Sequence, residues 1–267
     1  MPVLEQSLWK YVNQADSGWK GELAHRKTLS HREDPVLSRD NDEQEVRIRV
    51  KDLQRRGGAS LVLEDDKVGP EDTLIRGYFF NRDFRSGLKL SCSNTKEEHA
   101  FTTSSVHDAG LSCMFFLQGR VGAHIGNHHI DFNADANGDV ICAAGALKQC
   151  SQPFKRVTKT AQYVRHLVVT ATPDWLASSG FEQYIGQNLN QGLNQQTIVS
   201  RQWSPSARLS RIIKEVFSPS VLVPELLDLH LEARSLDIVS ETLTALIQSD
   251  GCLSSVAQLD RHSLIRI

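Results

Sequence analysis

The sequence predicts an α+β chain, a small β-barrel followed by paired helices, and two observations carry that expectation. Between residues 59 and 171 short apolar alternations are separated by turn residues, the rhythm of many short strands in a barrel or sandwich. At Thr172 the period changes to the three-and-four spacing of helices. A chain of 267 residues with 40% hydrophobic content is long enough to bury a core around both parts.

The expected strands are SLVLE from Ser60, TLIRGYFF from Thr73, GLKLSCS from Gly87, HAFTT from His99, LSCMFFL from Leu111, RVGAHI from Arg120, HHIDF from His128, DVICAA from Asp139 and YVRHLVVTAT from Tyr163. The clearest hairpin is His124-Ile125-Gly126-Asn127-His128-His129, because glycine at the first central position tolerates positive φ. Ala136-Asn137-Gly138-Asp139 supplies a second turn.

Thr172 caps the first helix of the second part, with Pro173 at its first position, where a missing N–H costs nothing. Trp175 and Leu176 would pack that helix on the barrel, and residues 186–196 have a loop composition. Ser204 and Pro205 repeat the start signal before a stripe of Leu209, Ile212, Ile213, Val216 and Phe217. After Ser218-Pro219 a helix is expected from Pro224 to Gln248, a rod of about 37 Å. Leu222, Leu226, Leu229, Ala233, Leu236 and Leu243 follow steps of four and three along it, with Ser240 the polar exception, and Leu227, Leu231 and Ile238 widen the stripe. Burial against the barrel and dimerisation both explain such a stripe; we favour dimerisation.

At the N-terminus Leu4, Leu8, Tyr11 and Val12 suggest a short amphipathic helix, and residues 30–45 form a charged arm. At the other end Ser255-Val256-Ala257-Gln258 opens a helix that meets Ile267 without a terminating signal, so the natural protein is expected to continue.

Thirty basic residues against thirty-two acidic ones, a net charge of −2, argue against wrapping nucleic acid by bulk electrostatics. There is neither a long apolar run nor a basic, apolar N-terminal leader, so no membrane partner and a cytoplasmic location are expected. Cys92, Cys113, Cys142, Cys150 and Cys252 lack a C-x-x-C pair and are read as reduced, mostly buried thiols.

Several motifs combine into a resemblance. The charged arm, the run GNHHIDFNADANGDV from Gly126, the TPDWL exit from Thr172 and the leucine-rich helix pair together resemble the N-terminal half of AraC-type transcription regulators. LHLEARSLDIV from Leu229, followed by Leu259-Asp260, looks most like the subgroup that includes the pyochelin-responsive siderophore regulators. The likeness spans about residues 74–267. It implies a cupin-like (double-stranded) β-barrel that binds a small-molecule effector, a helical surface for a homodimer, and DNA binding only through a C-terminal helix-turn-helix domain absent from this chain. The expected organisation is then 1–58 helix and arm, 59–171 effector barrel, 172–250 dimerisation helices and 251–267 the start of a connector.

For the effector, Arg76, Arg120 and Arg165 offer guanidinium groups suited to a carboxylate or phenolate, and Tyr78 and Phe115 offer walls. Phe115 and Phe116 must point to opposite faces, so only one faces in. His124 joins this set, and it also motivates an alternative reading as a cupin-fold metalloenzyme acting on a small organic substrate. In the proposed hairpin His124 and His129 face each other, and His99, His107 or His166 would have to supply a third ligand. The H-x-H pair followed by Glu that marks metal cupins is missing, as are G-x-S-x-G, H-E-x-x-H and phosphate-loop motifs, so neither catalysis nor a cofactor is expected.

Overall fold

The computed structural model describes residues 45–57, 61–64, 68–84, 87–134, 140–181, 198–219 and 223–248. The expected N-terminal helix, the arm up to residue 44, the turn at Ala136-Asn137-Gly138, the 186–196 loop, Leu222, Cys252 and the final capping box lie outside the described residues.

The elements are β1 (Val46–Arg49), α1 (Val50–Gly57), β2 (Val62–Leu63), β3 (Thr73–Asp83), β4 (Leu88–Glu97), β5 (Phe101–His107), β6 (Gly110–Ile125), β7 (His128–Ala134), β8 (Cys142–Lys148), β9 (Gln152–Thr158) and β10 (Gln162–Ala171). The short helix α2 (Pro173–Ser178), β11 (Ile198–Trp203), α3 (Ala207–Phe217), a 3-10 turn at Pro224–Leu226 and the long helix α4 (Leu227–Gln248) follow. The strands join in one path, β1-β3-β4-β10-β6-β9-β5-β2, with β7 and β8 also on β6 and β11 on β8. Every pairing is antiparallel.

Strand β6 explains how one path becomes a barrel. Residues 110–118 pair with β8 and β10 in one sheet, and residues 119–125 pair with β7 and β9 in the other. The register against β10 shifts at Arg165/His166, so Leu117 is an extra residue in the ladder. Gly119 follows at φ 101°, where a Cβ would lie 2.8 Å from the Tyr163 carbonyl oxygen. The two strands expected at Leu111 and Arg120 are therefore one bent strand. The glycine reads locally as a break, and pairing on both sides overrides it.

Three of the described strands escaped the sequence reading. β1 begins where the charged arm was expected to end. β9 (QPFKRVT) alternates weakly and has a proline at its second position; β11 (IVSRQW) lies where helices were expected, yet pairs with β8 and completes the sheet. Helix starts were more legible. Thr172 caps α2, accepting from the Trp175 N–H at 3.3 Å, with Pro173 first. For α3 the cap is Ser206, which accepts from the Leu209 N–H at 3.1 Å, two residues beyond the expected Ser204. The long helix has the expected bounds apart from its 3-10 first turn.

The helices cover one face of the first sheet. Phe80, Leu90, Phe115, Leu167, Leu209, Ile213, Leu231 and Ile238 belong to the core between them. A second core fills the lumen with Met114, Phe116, Val121, Ile125, Ile130 and Phe132, and a smaller one under α1 holds Ile48, Leu53, Leu74 and Phe101. The expected cupin-like α+β architecture is the one the chain has. At the contact of β8 with α4, a Cβ on Gly145 would lie 2.7 Å from Thr242 Cγ2. Gly145→Val is expected to destabilise the fold by about 1–3 kcal/mol through overpacking, measured by urea unfolding.

Candidate functional site

Strand alternation decides which side chains see the lumen, and the cores fix its phase. On β4 Leu88, Leu90 and Cys92 face the helices, so Lys89, Ser91, Ser93, Thr95 and Glu97 face in. Pairing then places His166, Val168 and Thr170 of β10, Ser112, Met114 and Phe116 of β6, and Ala144, Ala146 and Lys148 of β8 on the inner side.

None of the six residues put forward from sequence lies there. Arg76 is on the outer side of β3, paired with Glu98 and, at 4.0 Å, Glu45. Tyr78 packs against the helix-side core, and Phe115 is fully buried in it, edge-on to Trp203 at 6.1 Å. The inward member of the Phe115/Phe116 pair is Phe116, stacked on Phe132 at 4.2 Å and His166 at 5.0 Å. Arg165 lies over Phe217 of α3 at 5.4 Å. Arg120 is exposed at the bend, its backbone N–H donating to Gln162 Oε1 at 2.8 Å. His124 does face His129 across the hairpin, but both point outward, because the intervening Val121, Ala123, Ile125 and His128, Ile130, Phe132 take the inward phase. That pair cannot ligate a metal in the lumen, since His107 and His166 stand on the other side of the wall.

The lumen is packed through its middle and polar at its ends. At one end Glu97, 1% exposed, is paired with Arg156 and receives a hydrogen bond from Gln162 Nε2 at 3.2 Å. Arg156 also donates to Thr158 at 2.9 Å. In the middle Ser93 Oγ and His166 Nδ1 are 2.7 Å apart, and burial, then Arg156, pushes His166 down to about 3.

At the opposite mouth a cavity of about 300 Å³ is bounded by Lys89, Val106, His107, Asp108, Ala109, Leu111, Ser112, Lys148, Thr170, Ala171 and Thr172. Lys148 is only 5% exposed. Its ammonium donates to Ser112 Oγ at 2.7 Å, and among the described residues it has no carboxylate within ion-pairing distance. Burial lowers it to about 8, with Cys113 and Asp108 opposing. His107 stacks flat on Phe154 at 3.8 Å, and burial followed by Lys148 lowers it to about 4, so it is neutral at pH 7. The rim lysine, Lys89, is partnered by Asp83 at 3.3 Å. One buried cation, a neutral imidazole and several hydroxyls over an apolar floor can hold a small anion and orient it.

Lys148 and the cavity were missed from sequence, where the strand was ended at Ala144. The available signal was a lysine closing the apolar run Ala143-Ala144-Gly145-Ala146-Leu147, a charge at a strand end. Among the thiols, Cys92 and Cys113 are buried, and burial pushes Cys113 up to about 12; Cys150 is exposed, against expectation.

The leucine stripe divides. Leu226, Leu229 and Leu236 are 51%, 64% and 45% exposed, and Ala233 lies exposed between them. Leu243 is buried against the barrel, with Leu227, Leu231 and Ile238. The helix therefore has one side buried on the barrel and an apolar side that is exposed.

The mouth sets a pH dependence. Since the folded state lowers His107 from 6.5 to about 4, the unfolded chain binds more protons in that window. Stability should fall as pH drops from about 6.5 to about 4, by up to about 1.4 kcal/mol per pH unit for each histidine so held. Urea titrations of the protein and of His107→Gln at pH 7, 6, 5 and 4 check this, the variant showing the shallower dependence.

Comparison with known proteins gives one family. The sequence model described as the regulatory protein PchR N-terminal domain matches residues 76–259. A search of curated proteins returned no match. Among solved structures the AraC-like transcriptional activator CuxR is similar at 11% identity and a TM-score of 0.41, over 75% of this chain and 70% of that one. A point variant of apo ToxT from Vibrio cholerae has 8% identity and a TM-score of 0.35, over 63% of this chain and 57% of that one. The Schizosaccharomyces pombe Cnp3 cupin domain has 10% identity and a TM-score of 0.28, over 52% of this chain and 93% of that one.

Proposed function

We propose that this chain, which belongs to the PchR N-terminal domain family and is the effector-binding regulatory part of an AraC-type transcription regulator, holds a small anionic effector on Lys148 at the barrel mouth. The observation that carries this is a buried ammonium with no carboxylate partner among the described residues. An unpaired buried charge costs several kcal/mol, and an arriving carboxylate or phenolate offsets that cost while gaining a charge-assisted hydrogen bond. Ser112, Thr170 and Thr172 line the cavity with hydroxyls, and Leu111 and Ala171 form apolar wall. About 300 Å³ suits a small molecule, or the acidic arm of a larger one such as a siderophore.

Output would run through α4. On the same strand as Lys148, Gly145 leaves room for Thr242 and Leu246 of α4 where a Cβ would collide, and Arg201 of the next strand donates to the Ala245 carbonyl at 2.6 Å. The opposite side of α4 carries the exposed stripe, which we assign to a homodimer seam. DNA contact is assigned to a helix-turn-helix domain outside this chain. No described helix is long and apolar enough to cross a membrane.

Calorimetric titration with small aromatic carboxylates and phenolates tests the site. Lys148→Met should weaken a bound anion by about 10–100-fold, while Lys148→Arg retains more of the affinity. Because Lys148 is held near 8, affinity should also fall by up to about tenfold per pH unit above that value. Equal affinity of the protein and Lys148→Met for every bound anion would reject this placement. For the seam, Leu229→Asp with Leu236→Asp should yield monomers by analytical ultracentrifugation at concentrations where the unaltered chain is dimeric.

A further inference from the structure

We infer that the outer face of the β6–β7 hairpin is a binding site for a late first-row divalent metal ion, with His124 Nε2 and His129 Nδ1 as its two protein ligands. The two residues are directly opposed across the strands, with ring centroids 4.3 Å apart. Their facing nitrogens are 3.1 Å apart. Two imidazole nitrogens about 2.0–2.1 Å from one metal, at an angle between about 90° and 109°, are about 2.9–3.4 Å apart. The pair is already at chelating separation.

Asp131 selects the tautomer. His129 Nε2 lies 2.8 Å from Asp131 Oδ2, so the carboxylate accepts the Nε2–H and leaves the Nδ1 lone pair aimed at His124. Without metal, His124 donates its Nε2–H into that gap. With metal, the ion takes the Nε2 lone pair of His124, whose single ring proton moves through water from Nε2 to Nδ1. No net proton is gained or lost by the pair.

The surroundings permit entry. The side chains of His129 and Asp131 are 49% and 69% exposed. Gly122 sits opposite Asp131 and presents no side chain over it. Lys155, the neighbour of His124 on β9, is neutralised by Glu64 at 2.5 Å. No group of three His, Cys, Asp or Glu gathers for a metal among the described residues, so water completes the coordination. An imidazole pair of this kind suits copper(II), nickel(II) and zinc(II), copper binding tightest. The site is separate from the lumenal cavity: the same hairpin turns His128 and Phe132 inward, onto Ser200 and Phe116.

The experiment is titration of the untagged chain with copper(II), followed by calorimetry and electron paramagnetic resonance. The expected result is one ion per chain, nitrogen splitting from two imidazoles, and a thermal midpoint that rises with copper and returns with a chelator. His124→Ala and His129→Ala, both solvent-facing changes, should each lower affinity about 100-fold or more, and Asp131→Asn about 10-fold. Binding undiminished in the double His124→Ala, His129→Ala variant, or a spectrum without imidazole splitting, would overturn the assignment.

Discussion

The fold depends on one bend. Strand β6 must serve two sheets, and it can do so only where its backbone turns through Gly119 at positive φ, pressed against the Tyr163 carbonyl. A side chain there would collide with β10, the strand that closes the first sheet on β6. The extra residue at Leu117 shifts the phase of the strand, so even-numbered positions face the lumen before the bend and odd-numbered ones after it. That shift brings Phe116 and Val121 into one core. It also turns His124 out to solvent and leaves Ser112 facing in beside Lys148.

The two ends of the lumen treat buried charge in opposite ways. At one end Glu97 and Arg156 are paired, and Gln162 and Thr158 use further hydrogen-bonding capacity, so the end is closed and electrostatically complete. At the other, Lys148 leans on a single serine hydroxyl and opens to a cavity. Both ends bury ionic groups, but only one leaves charge to be matched. The lowered values of Lys148 and His107 have the same origin, shared burial beside one another, and leave the site a single buried cation near neutral pH.

The sequence made the strand-to-helix order legible because alternation and helical spacing are local, and because Thr172-Pro173 is a start signal that tertiary context did not override. The His124/His129 opposition was legible too, since Gly126-Asn127 fixes the hairpin register. Inward and outward were not. Alternation separates two faces without saying which is the lumen; β6 is apolar on both, and β4 turns its apolar residues Leu88, Leu90 and Cys92 to the helices and its polar ones inward, the reverse of what an apolar lumen would suggest. Each arginine and aromatic chosen for the lumen therefore took the wrong phase. β9 and β11 were hidden for another reason: half-exposed strands held by their neighbours carry little hydrophobic contrast of their own.

Strand β8 is where these constraints meet. Its side chains are small because both of its faces are crowded, the inner by Met114 and the lumenal core, the outer by α4. A strand packed so closely cannot bow toward the lumen without drawing on the helix, since Gly145 leaves no slack against Thr242 and Leu246. The same helix is tied to the barrel at its other end, where Arg82 pairs with Asp228 at 2.9 Å. Under the proposed function, a ligand that pulls on Lys148 would tilt α4 about that tether rather than translate it. The exposed leucines span the tethered half of the helix and Thr242 and Leu246 the other, so a small change at the mouth would alter the angle the seam presents more than its position.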